Sequence, residues 1–70
     1  MKYLVIVERS KTGFAAYLPD LPGCVSTGAT EAELKANIKE AVEFHIDGLK
    51  LEGFPVPLPN SRSAYVEVAA

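Results

Sequence analysis

Few side chains in this 70-residue chain could do chemistry: one cysteine, one histidine and nine carboxylates. A thiolate nucleophile needs a base within reach, so Cys24 could act only with His45. His45 falls on or beside the apolar stripe of the helix described below, and a lone pair of this kind is read first as packing. The same counts exclude an internal disulfide and the ligand spacing of a zinc site. Clustered acids could instead hold a pair of metal ions. The candidates are Glu8, Asp20, Asp47, Glu52 and Glu67. Glu8 ends a strand, Asp20 lies in a turn, and neither stands mid-strand beside another acid. They read as solvated acids at strand ends and on a helix face. No catalytic residue, cofactor or metal is expected, and the chain does not read as an enzyme. Tyr3, Phe14, Tyr17, Phe44, Phe54 and Tyr65 could stack on bases. A net charge of −2 and a pI near 5.2 supply no basic face to go with them, so core packing or chain–chain contact is preferred.

The elements that would place these residues turn on one stretch, Leu18-Pro19-Asp20-Leu21-Pro22-Gly23-Cys24-Val25-Ser26-Thr27-Gly28. Two prolines fix φ and remove backbone donors, so no ladder runs through residues 19 to 22. Gly23 can take an angle that other residues resist. Before this stretch, residues 2 to 8 read as a strand with Tyr3, Val5 and Val7 on one face and Leu4 and Ile6 on the other. Both faces are apolar, which predicts a central strand covered on both sides. Arg9 to Gly13 is a hairpin loop, Phe14 to Leu18 the returning strand, and Cys24 to Thr27 a short third strand.

A helix is predicted over about 31 to 51. Thr30 and Glu33 form a capping box, and Glu31 and Glu33 put negative charge at the positive end of the helix dipole. Leu34, Ile38, Ala41, Val42, Ile46 and Leu49 recur at helical spacing, with Lys35, Lys39, Glu40, Glu43, Asp47 and Lys50 opposite. Gly53 and Pro55 stop it. Gly48 lies inside, at a cost of roughly 1 kcal/mol against Ala, and close packing is the one reason the sequence suggests. Phe54 to Arg62 alternates with proline and reads as a stiff, extended connector. Ala64 to Val68 reads as a last strand, Val66 and Val68 inward and Glu67 outward. The order is β-β-β-α-β in one domain, residues 1–70: an α+β fold of two layers, with one helix on one face of a small sheet.

One helix covers one face. The other apolar face must meet another chain, since a large exposed apolar patch is unusual on a monomer. So short a chain, without disulfide or metal, also lacks stabilisation of its own. A homodimer or a dimer of dimers is expected. The N-terminal apolar run of five residues is too short for a signal-peptide core or a membrane span, which places the chain in the cytoplasm.

Three segments, Met1 to Glu8, Phe14 to Cys24 with its Leu-Pro-Asp-Leu-Pro-Gly-Cys run, and Asn37 to Val42, resemble the HicB family of bacterial antitoxins, as does Glu52-Gly53 with the prolines after it. The resemblance covers nearly the whole chain. It implies a partial ribonuclease-H-like sheet whose fourth strand lies beside the first. It also implies a role: binding and blocking HicA, a small basic ribonuclease toxin that degrades messenger RNA. The chain departs from the family at the helix start, where Ala29 stands for a frequent Asp, and Ala32 and Leu34 for a common Glu and Ala. Many relatives carry a C-terminal DNA-binding domain. This sequence stops at Ala70, and direct DNA binding is not expected. Asp20 has two readings, as turn chemistry or as a negative group shown to the toxin. Glu8, Asp20 and Pro22 are the residues expected at the partner surface. The alternative is a stand-alone structural or adaptor oligomer without a toxin.

Overall fold

The structure, a computed structural model, describes all residues from Met1 to Ala70. Its order is β1 (Ile6–Ser10), β2 (Gly13–Tyr17), β3 (Val25–Gly28) and α1 (Glu31–Leu51). The fold is α+β: a three-stranded antiparallel sheet in the order β1-β2-β3 with one helix laid across it. A two-residue turn, Lys11-Thr12, sets Ser10 opposite Gly13 and Ile6 opposite Tyr17. β1 therefore starts later than the predicted 2 to 8 and runs two residues further. Met1 to Val5 find no strand partner because β2 ends at Tyr17. β3 pairs Val25 with Tyr17 and Gly28 with Phe14.

The helix occupies the range its pattern predicts. Thr30 Oγ1 accepts from the Glu33 amide at 3.1 Å. At the other end Gly53 takes φ +73°. The Gly53 amide then donates to Lys50 O at 3.1 Å and the Phe54 amide to Leu49 O at 2.9 Å, a Schellman closure that only a residue tolerant of positive φ permits at low cost. The core holds six buried residues, Ala16, Leu18, Leu21, Cys24, Leu34 and Ile38, with Tyr3, Val5, Phe14, Ala41, Val42 and Ile46 packed around them. Twenty-one residues of helix reach about 31 Å, and a five-residue strand about 17 Å. The C-terminal half of α1 overhangs the sheet, and Phe44 and Leu51 are exposed there.

Three expectations are corrected. First, Ala64 to Val68 is not a strand, and Val66 and Val68 do not point inward. They are 81% and 74% exposed, because no backbone neighbour stands alongside to complete a ladder. Second, with that strand undocked, β1 lies at the sheet edge instead of its centre. Third, Gly48 has no close neighbour: a Cβ built there meets nothing within 4 Å, so packing does not explain it. From Phe54 onward the chain has no regular structure; Val56, Pro59 and Ser61 are half-buried, and every residue from Arg62 on is exposed. Its radius of gyration is 13.9 Å, against about 11 Å for a compact 70-residue domain.

Candidate functional site

The chemistry-bearing residues are dispersed. Cys24 is buried at the sheet end of the core, and burial pushes its thiol up, away from the reactive thiolate. His45 is half-buried on the overhanging part of the helix. Glu8 is exposed on β1, Asp47 and Glu52 lie along the end of the helix, and Glu67 is on the exposed tail. No three His, Cys, Asp or Glu side chains gather closely enough to hold a metal ion.

What the fold does build is a corner. Leu18 to Cys24 forms two successive turns. The Leu21 amide donates to Leu18 O at 3.3 Å, and the Cys24 amide to Leu21 O at 3.1 Å. In the second turn Pro22 precedes Gly23 at φ +84°, the arrangement of a type II turn. The Leu18 amide closes the pair onto Cys24 O at 3.3 Å. Each turn brings the chain back to the same side, so Leu18, Leu21 and Cys24 all enter the core, with Leu21 at 0% exposure. Pro22 is left exposed on the outside of the corner.

Asp20 points along the corner to the C-terminal segment. Its Oδ2 accepts from the Asn60 and Ser61 amides and its Oδ1 from Ser61 Oγ, each at 2.9 Å. The two backbone donors are the main reason its carboxyl is held below the ordinary value. A second tie, from Tyr3 Oη to Pro57 O at 2.6 Å, fixes the proline-rich stretch upstream. Sequence reasoning missed these ties, which join residues forty and more positions apart.

The sheet face away from the helix is open. Residues opposite one another in a ladder share a face, so Ala16, buried against the helix, carries Val7 and Ser26 to that side. Ile6, Tyr17 and Val25 then form a row on the free face, with Glu8, Ala15 and Thr27 in the row beyond. Tyr17 and Val25 are exposed. Of the expected partner-facing residues, Asp20 and Pro22 share the corner, while Glu8 stands one row past Ile6 and Tyr17. The Leu18, Leu21, Cys24 spacing could have disclosed the inward side of the corner. The Ile6–Tyr17–Val25 row depends on register, which the hairpin length alone does not fix until the turn is known.

Comparison with known proteins finds related chains. Residues 3–69 match the model described as "HicB_like antitoxin of bacterial toxin-antitoxin system". A UPF0150 protein of Thermoplasma acidophilum is 37% identical over 94% of this chain and 97% of its own length. An uncharacterised 14.9 kDa protein of Haemophilus phage HP1 is 36% identical over 94% of this chain and 50% of its own. Antitoxin HicB 2 of Photorhabdus laumondii is 32% identical over 100% of this chain and 51% of its own. The chain thus spans about half the length of the last two. Among solved structures, a chain of a HicA3 and HicB3 toxin-antitoxin complex superposes with a TM-score of 0.75 at 38% identity, covering 84% of this chain and 70% of that one.

Proposed function

The chain belongs to the HicB-like antitoxin family of bacterial toxin-antitoxin systems, and from that membership we propose that it neutralises a HicA-type ribonuclease by covering its active site. The observation that carries the reading is the sheet face away from the helix: an apolar row of Ile6, Tyr17 and Val25 beside an acid, with Tyr17 and Val25 exposed. The action is non-catalytic, steric and electrostatic. A basic toxin is drawn to a chain of net charge −2 and meets Glu8 on the free face and Pro22 on the rigid corner. Asp20 contributes from the same corner while holding the C-terminal segment in place. The working location is the cytoplasm, and the working form a homodimer or a dimer of dimers. No helix is long and apolar enough to cross a membrane.

Co-expression with the small basic protein encoded next to it tests this. The expected result is growth rescue and co-purification, with Glu8→Lys raising Kd about tenfold, or about 1.4 kcal/mol. Absence of a basic neighbour, together with no rescue, would leave the stand-alone structural oligomer as the reading.

A further inference from the structure

We propose that residues Ala64–Val68 of a second copy of this chain fill the groove beside β1, each copy lending its arm to the other. The inference rests on the self-association put forward above and is independent of toxin binding.

The two edges of the sheet differ. The helix packs on β3 and β2 and leaves β1 uncovered, and Asn37 Nδ2 donates to Thr27 O of β3 at 2.9 Å. β1 pairs on one side only, so its outer backbone groups have no partner in the chain. Between β1 and the near flank of the helix runs a groove of about 470 Å³, floored by Val5, Val7, Leu34 and Ile38. Val7 is 50% exposed in it. The groove continues past Tyr3, Val42 and Ile46. Its rim carries Lys2, Lys35, Lys39 and Lys50 against Glu31 and Glu43.

The arm has the complementary pattern. Alternation puts Val66 and Val68 on one side, matched to Val5 and Val7, and every residue from Arg62 to Ala70 is exposed. Its one charge beyond Arg62 is Glu67, opposite in sign to the lysine-rich rim. An added strand here would satisfy the backbone groups of β1 and of the arm together, and side-chain pockets would set its register.

The connector decides whose arm it is. Pro55, Pro57 and Pro59 stiffen it, and it is tied at Tyr3 and again at Asp20. Between those ties it passes from Tyr3, just ahead of β1, to Asp20, just past the end of β2, which is the strand on the inner side of β1. A return to its own β1 would need a reversal within Arg62 and Ser63, and short hinges favour exchange between copies. The chain's own groove is open, lined by no residue of its arm, and the arm lies exposed outside it. Mutual exchange closes a two-fold dimer with no arm left over. It also enlarges a core of only six buried residues.

The test uses the full chain with Val7→Cys in one preparation and Val66→Cys in another, joined by a short bifunctional thiol reagent; Cys24 is buried. Mixing the two is expected to give a covalent dimer that neither gives alone. A chain carrying both substitutions is expected to link between molecules. Deleting residues 64–70 is expected to raise the dimer Kd at least about tenfold, by sedimentation, with helical circular dichroism unchanged. Linkage confined within one chain would overturn the proposal, showing that the arm closes its own groove. A dimer indifferent to the deletion would overturn it too, leaving the open face as the interface and self-association intact. A clean monomer at micromolar concentration would remove self-association along with it, whereas failure of growth rescue alone touches only the toxin reading.

Discussion

The corner at Leu18–Cys24 and the arm at Ala64–Val68 are both short and apolar, and they end in opposite conditions. In the corner, two turns return the chain every third residue, so Leu18, Leu21 and Cys24 face one way and three backbone hydrogen bonds close within the same seven residues. The arm alternates with period two. Its side chains could share a face, but its N–H and C=O groups look for a neighbour along the whole length. Tyr65 is accordingly 98% exposed while Leu21 is sealed. Apolar residues on turns carry their own backbone solution. On a strand they specify that a face will be buried without specifying in which molecule.

The largest test of that contrast is Leu21→Ala. Truncating a sealed core leucine costs about 2–5 kcal/mol, and a domain of this size loses about 4–8 °C of Tm per kcal/mol. Calorimetry showing a fall of only a degree or two would mean the corner is decoration, not core. Gly23→Ala comes next. A Cβ there meets nothing within 4 Å, so its cost is the left-handed backbone alone, about 1–2 kcal/mol. Gly23→Asn should recover part of it, because asparagine tolerates that region. Equal losses for the two variants would argue against the turn geometry.

The same contrast explains what could be read from residues alone. The helix was legible because every signal for it is local: Thr30 and Glu33 at the start, the stripe from Leu34 to Leu49, Gly53 at the stop. The first three strands were legible to within a few residues, since each is bounded by glycine, proline or a polar turn. The two apolar faces of β1 predict a central strand, whereas in the structure it is an edge, because centrality depends on a fourth strand that docks nowhere in the single chain. Val66 and Val68 have a sound pattern and no partner. At the candidate site, Glu8 and Pro22 could be placed on the surface in advance. Asp20 reads in the sequence equally as turn residue or partner residue; its hydrogen bonds to Asn60 and Ser61 form only once the helix has carried the chain back to the corner.

Asp20 links the two regions, and acid should part them. Its carboxyl is lowered in the folded chain by the Ser61 and Asn60 amides. A lowered folded pKa contributes stability that is fully present above the unfolded value of about 3.9 and lost as pH falls through the folded one. The expected outcome is that amide exchange protection at Asn60 and Ser61 disappears below that window, while protection across β2 and α1 persists. Asp20→Asn should reproduce the release at neutral pH. It removes the charge that strengthens both backbone bonds but leaves the corner's own three hydrogen bonds untouched. Loss of helix and tail signals together would mean the tie supports the fold instead of merely aiming the arm.

The smallest effect, and the most discriminating, belongs to Val66→Ala. The same loss of apolar carbons that is costly at Leu21 should change Tm in dilute protein by less than the equivalent of about 0.5 kcal/mol, since an exposed side chain gives up nothing on truncation. Concentration then separates two reasons for that silence. If the arm is idle, wild type and variant melt together at every concentration. If it is buried in another copy, association stabilises the folded form by mass action, so the Tm of the wild type climbs with concentration and that of the variant climbs less. A difference that is absent at low micromolar protein and opens at higher concentration would assign Val66 a buried place that no single copy of the chain provides.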